Sequence, residues 1–429
     1  MSLIKDLPEL VSAGIISNDT SQQISDYYKR KQVTSPNRQL LIFGIVGALL
    51  VGTGVMFIVA NQWDDLPRSI QTACAFLLLI IPQVFCGYVI VKMPEKIIWR
   101  ECSALLLFFG VGASISLVSQ IYNIHGEMSS FMLTWTLLTV PLIYLLNSST
   151  VSLAYLYCIM VYAISARHNA TSPIDEYLFW LLFILPLPRY YRLLTKPTEN
   201  ILVILHHWMI PLVLSVTLGT LAHGLPLLMN LNYVIMFGIF YFISNTTFLK
   251  KSSIFQNGYK AFGFPGTIIA LLIMTFKNSW RHMAEENYHL NNLILAPEFI
   301  AFVILIVLAS LLLYRQNKHI KLLKWDLFNV VYLFSLLIFI IGTWDSSLAT
   351  ILINLLVFAL AILMVRAGTL LNHLGVINIG MLVIALLVIC RSFDADLTFV
   401  VKGTLFVLVG IGFFVSNWLM IKKRTKDEV

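Results

Sequence analysis

The sequence predicts an all-α fold, a polytopic bundle of transmembrane helices, on three observations. Of 429 residues, 59% are hydrophobic and 12% charged, against about 25% charged in a soluble domain. Apolar runs of about 15 to 25 residues repeat from Leu40 almost to the C-terminus, so the bilayer is the solvent for most of the chain. The basic residues collect in alternate short loops between those runs. A soluble enzyme with a tail anchor is excluded, because the apolar residues are spread throughout. An outer-membrane barrel is excluded too: its strands alternate apolar and polar side chains, whereas Leu40 to Ala60 is apolar on every face.

Residues 1–39 read as a cytoplasmic amphipathic head. An apolar-periodic segment covers Leu7 to Val11, Gly14 stops it, and Ser17 to Asp19 caps a second helix reaching Arg30. Its apolar face (Leu7, Leu10, Ile15, Ile16, Ile24) needs a covering surface, either the membrane body and its own two helices or a second protein. No basic region followed by a short apolar stretch precedes it, so no cleavable signal peptide is expected. Residues 40–421 form the transmembrane domain and 422–429 a basic cytoplasmic tail.

Candidate spans lie at about 40–60, 69–91, 102–122, 129–146, 151–165, 177–188, 200–222 and 231–249, then at about 261–276, 296–314, 327–342, 347–365, 373–390 and 397–421. That is about fourteen crossings. The fifth and sixth are short and Pro186 and Pro188 interrupt the sixth, so this pair is either two crossings or a re-entrant hairpin, which leaves about twelve. The longest outer loop, around Lys277 to Ala296, fits an amphipathic helix lying in the interface.

A cytoplasmic N-terminus puts the basic residues of the head, of 92–100, of 189–196, of 250–260, of 315–324, Arg366 and the tail on one side. Arg68, Arg167, Lys277, Arg281, Arg391 and Lys402 fall on the other. This bias is the positive-inside pattern, with both termini cytoplasmic. The net charge of +8 therefore reports topology, and nucleic acid is not an expected partner; the bilayer is.

Within the first span Gly44, Ala48 and Gly52 recur every fourth residue, a ridge on which another helix packs closely; Gly110 with Ser114 and Gly412 with Ser416 repeat the spacing. Pro82, Pro141, Pro211 and Pro265 predict bends inside spans. Cys74, Cys86, Cys102, Cys158 and Cys390 form no C-x-x-C pair and read as small buried residues. His206 and His207 open the seventh span without a carboxylate or thiol at matching depth. Neither a metal site nor a cofactor is expected.

The polar chemistry gathers at the outer ends. Trp63, Asp64, Asp65 and Arg68 lie in the short turn after the first span. Gln120, Tyr122, His125 and Glu127 follow the third. Arg391, Asp394 and Asp396 precede the last span, with Lys402 about one and a half turns into it, where a buried ammonium needs a partner such as Asp394 or Asp396. Two readings compete: local helix caps and ion pairs, or one polar binding site open to the outer face.

The pattern Trp-Asp-Asp-x-Pro-Arg after a glycine-rich first helix, and Gln-Ile-Tyr-x-x-x-Gly-Glu after the third, resembles an uncharacterised family of prokaryotic membrane proteins, domain of unknown function 2157. The likeness covers about residues 5–150, including Gly14-Ile15-Ile16-Ser17, and Phe393 through Gly403 is similar to the C-termini of such proteins. The resemblance implies a bacterial inner-membrane protein and brings no activity. From the residues, the leading reading is a transporter or flippase of an amphipathic or lipid-linked envelope molecule, although no Asp, Glu, Arg or Lys sits near the middle of any span. The others are a sensor or scaffold, whose head binds a protein partner, and a glycosyltransferase-like enzyme acting on a lipid-linked substrate at the outer interface.

Overall fold

The computed structural model describes residues 3–34, 66–169, 173–195, 200–246, 253–280, 294–318, 327–370, 373–394 and 398–427, with single positions at 43, 46, 47, 50 and 249. The described residues form helices and no strands. The first predicted span with its glycine ridge, and most of the 277–296 loop, lie outside them.

The head is a helical pair. Helix α1 runs Leu3–Ser12 and α2 runs Asn18–Thr34. Gly14 takes φ +70° between them, a conformation that costs a residue without Cβ little. Ser17 Oγ then accepts from Thr20 N–H at 3.2 Å, the expected N-cap. Leu7 is buried and Ile15 is 69% exposed.

The remaining helices are α3 (Arg68–Lys92), α4 (Ile97–Ile121), α5 (Met128–Leu145), α6 (Ser149–Asn169), α7 (Pro173–Ile184), α8 (Leu187–Leu193), α9 (Ile201–Leu218), α10 (Pro226–Ser244), α11 (Gly258–Met274), α12 (Pro297–Asn317), α13 (Leu327–Gly342), α14 (Ser346–Leu370), α15 (Leu374–Asp394) and α16 (Phe399–Asp427). Among the described residues nine of these are long and apolar enough to cross a membrane. Each predicted segment from residue 69 onward coincides with a helix or, for the sixth, with the pair α7 and α8. The fifth is longer than its predicted 151–165, because the capped turn at Ser148 starts it early and Tyr162 and Arg167 anchor its far half.

The chain divides into two compact units, one of residues 1–126 and 137–151, the other of 127–136 and 152–429. In the first, α3 packs along α4. Pro82 inside α3 has no N–H for the carbonyl of Leu78, and at that carbonyl α4 carries Gly110, where an added Cβ would stand 2.6 Å from the Leu78 oxygen and 3.2 Å from the Pro82 ring. The predicted close contact at Gly110 and the predicted bend are thus one feature, a proline gap filled by a glycine backbone.

The second unit is built around α10, whose apolar window is 72% buried, packed against α11, α12 and α13. Helices α14 and α15 form a further tight pair. The proline-glycine arrangement recurs: Pro211 inside α9 leaves the His207 carbonyl without its helical N–H, and Gly258, the first residue of α11, lies where any Cβ would collide with that oxygen. Gly412 on α16 lies against Met381 of α15, again a predicted small-residue contact.

Contacts at the helix ends fix the direction of each element. At one end of the second unit Trp208 Nε1–H of α9 donates to Phe255 O ahead of α11 at 2.9 Å, and Gln316, at the close of α12, donates to Phe242 O near the close of α10. At the opposite end Arg167 of α6 donates to Ala222 O after α9 at 2.9 Å, and the Trp280 indole lies against Gly342, where α13 stops. Helix α7 starts beside α6, where Tyr162 donates to Asp175 O at 2.8 Å. Helix α8 finishes beside the first turns of α9 and α11, where the Tyr190 and Tyr259 hydroxyls are 3.1 Å apart. The two short helices therefore lead from the far half of α6 to the first turns of α9 and α11.

Candidate functional site

The outer-end residues divide into tied and exposed groups. Trp63, Asp64, Asp65 and Asp396 lie outside the described residues. Arg68 opens α3 and is exposed, and Gln120, Tyr122, His125 and Glu127 are exposed at the turn after α4. Tyr122 OH lies 3.2 Å from Thr72 Oγ1 on α3, and Asn123 turns the chain with φ +50°. The turn is held from below by Ser119 Oγ, which donates to Ile124 O at 2.7 Å.

Arg391 and Asp394 sit one turn apart on α15 and pair at 2.9 Å. Asp394 also accepts the Lys277 N–H at 3.0 Å. Arg391 donates to Thr275 O and lies 5.7 Å from the Phe276 ring centroid, while Asn354 Nδ2 donates to the same Thr275 oxygen at 3.1 Å. The pair thus ties α11, α14 and α15 together. Of the two carboxylates expected beside Lys402, Asp396 lies outside the described residues; the Lys402 Nζ lies 5.9 Å from the Phe399 ring centroid. Asp394 goes to Arg391, which stands one turn away on the same rigid helix. Asp345 is a plain N-cap of α14, accepting Ser347 N–H at 2.9 Å and Leu348 N–H at 3.0 Å.

Two buried carboxylates escaped the sequence reading. Glu101, in the second turn of α4, crosses to the start of α6. It accepts the Ser148 hydroxyl at 2.6 Å, the N–H of Ser149 at 2.9 Å and of Thr150 at 2.9 Å, and the Thr150 hydroxyl at 2.8 Å. Glu298, in the first turn of α12, crosses to the start of α10. There its Oε1 accepts the N–H groups of His223, Gly224 at 3.0 Å and Leu225 at 3.3 Å. Both carboxylates sit where exposed helix N–H groups and the helix dipole favour a negative charge.

His206 and His207 are fully buried, and the structure adds partners the sequence did not suggest. His206 Nε2 lies 3.2 Å from Ser152 Oγ, its ring stacks on Tyr190 with centroids 5.9 Å apart, and His207 Nδ1 lies 3.4 Å from Gln256 O. Among the described residues no three His, Cys, Asp or Glu side chains gather as metal ligands would. Of the cysteines, Cys86 and Cys158 are buried, Cys74 and Cys390 half-buried and Cys102 exposed. The last departs from the expectation because its side of α4 is not covered.

Long apolar helices, polar chemistry at their ends and buried acids spent on helix starts define a membrane protein built of several helices. Residues 8–152 match the model of the family described as "Predicted membrane protein (DUF2157)". The match takes in the Trp-Asp-Asp-x-Pro-Arg and Gln-Ile-Tyr-x-x-x-Gly-Glu segments and stops before the likeness seen around Phe393 to Gly403. No curated protein and no solved structure matches the chain.

Proposed function

We propose that the chain is a transporter or flippase of an amphipathic or lipid-linked envelope molecule in a bacterial inner membrane. In this reading it crosses the bilayer about fourteen times, both termini are cytoplasmic, and a polar site opens at the outer face. The single observation that carries the reading is a division of labour among the ionisable groups. Glu101, Arg391 and Asp394 are occupied in holding helix ends, whereas Arg68 at the start of α3 and His125 and Glu127 on the turn after α4 stand exposed, where a charged headgroup would meet them. Trp63, Asp64, Asp65, Gln120, Tyr122, Asp396 and Lys402 complete the proposed outer set. The positive-inside bias supports the orientation, and the end contacts support its alternation, with α7 and α8 together forming one crossing. Proline-bent spans of the kind that line transporter cavities support the class.

A sensor or scaffold is the second reading, favoured by the exposed Ile15 of the head. The deciding experiment reconstitutes the chain in liposomes with a fluorescently labelled polyprenyl phosphate and follows its bleaching by external dithionite. Transport predicts protein-dependent translocation, slowed at least several-fold by Glu127→Gln or His125→Ala. Folded protein that leaves the lipid on its original leaflet contradicts transport and puts the sensor or scaffold first.

A further inference from the structure

Among the described residues the buried acids are Glu101 and Glu298, and the chain treats them differently. Glu101 has both oxygens engaged: Oε1 accepts Ser149 N–H at 3.0 Å, and Oε2 takes two backbone N–H groups and two hydroxyls. Glu298 is more deeply buried, at 1% exposure, yet all three N–H groups at the start of α10 converge on Oε1. Its Oε2 is buried with no hydrogen-bond partner. Asn232, wholly buried on α10, donates Nδ2 to the backbone oxygen of Glu298 at 2.8 Å, and its own Oδ1 also has no partner. Two buried acceptors on residues joined by a hydrogen bond thus lack a donor among the described residues, and Glu298 Oε2 is the one carboxylate oxygen among the buried atoms left so; a bare carboxylate oxygen in that position is costly.

The geometry points to a binding site for a small cation, a proton or a sodium ion, formed by Glu298 Oε2 and Asn232 Oδ1. A proton on Oε2 turns that atom into a donor. A sodium ion uses both hard oxygens as ligands, the acid-plus-amide chemistry that oxygen-seeking cations favour. The three N–H groups hold Oε1 and leave Oε2 as the functional atom. The neighbouring ionisable groups are otherwise engaged: His223 Nδ1 with Leu221 O at 3.0 Å, Arg167 with Ala222 O at 2.9 Å, and Tyr233 OH with Ser215 O at 3.0 Å. A role for this cation as the coupling ion rests on the transport reading; its binding does not.

The test uses the full chain in nanodiscs, comparing wild type with Glu298→Gln. A bound proton predicts an infrared carboxylic-acid C=O band in wild type that is lost in the variant. Bound sodium predicts that replacing choline with sodium raises the melting temperature of wild type by several degrees and leaves the variant unmoved. Should Glu298→Gln not fold, Asn232→Ala assigns the site instead, by shifting the acid band or by raising the sodium concentration for half-maximal stabilisation about tenfold. A wild-type protein with no acid band traceable to this site and no sodium-specific stabilisation overturns the proposal. Neither readout involves lipid movement, so failure here and failure of the transport reading are told apart.

Discussion

Glu101 shows what a single buried charge does in this chain. A carboxylate near the start of one helix replaces the missing acceptors at the start of another, joining residues 47 to 49 positions apart in sequence. Glu101→Gln substitutes a neutral amide whose N–H₂ faces N–H donors, so it leaves at least one buried group unsatisfied and costs about 1–3 kcal/mol. Ser148→Ala, which removes the cap on Val151 N–H, costs about 1 kcal/mol. Thermal unfolding in detergent measures both, and a Glu101→Gln protein as stable as wild type would contradict the clamp. A local cap such as Ser17 was legible in the sequence, because cap and helix are neighbours. Glu101 and Glu298 were not, because their partners are chosen by tertiary packing, and no spacing rule connects Glu298 to a turn at His223. Of the two acids expected beside Lys402, Asp394 goes to Arg391 by proximity along one helix, and Asp396 lies outside the described residues.

At the scale of elements, the proline bends and the small-residue ridge were each readable, but not their coincidence. Pro82 frees a carbonyl of α3 and Gly110 of α4 approaches it; Pro211 frees one of α9 and Gly258 of α11 approaches that. Since backbone, not a flexible side chain, lies in the way, Gly110→Ala and Gly258→Ala each force the helices apart and destabilise by about 1–3 kcal/mol. Double substitution with Pro82→Ala separates the two causes: restoring the N–H lets α3 close on its own carbonyl, so the cost of Gly110→Ala falls. Equal losses in both backgrounds would show that the glycine does not answer the proline gap. The double proline at 186 and 188 marked the break between α7 and α8, while the neighbours of the two short helices needed the contacts of Tyr162 and Tyr190 to become visible.

For the whole molecule, composition sufficed to read the helical class and the membrane as solvent, because every long segment must satisfy its own backbone there. Charge placement gave an expected orientation, which is the part of the account that a labelling experiment can test. What the molecule carries or senses was not legible, because whether the polar residues at the helix ends converge depends on packing, which composition does not encode. The most direct test of the account is therefore topological. In a background with Cys74, Cys86, Cys102, Cys158 and Cys390 replaced, single cysteines are placed at His125 and Trp344, assigned to the outer ends, and at Glu95 and Ser253, assigned to the inner ones; all four positions are exposed. The account predicts that a membrane-impermeant maleimide labels the first pair in intact cells and the second only after permeabilisation. Labelling of Ser253 or Glu95 from outside, or of all four from one side, would contradict the alternating bundle and the outward-facing site together.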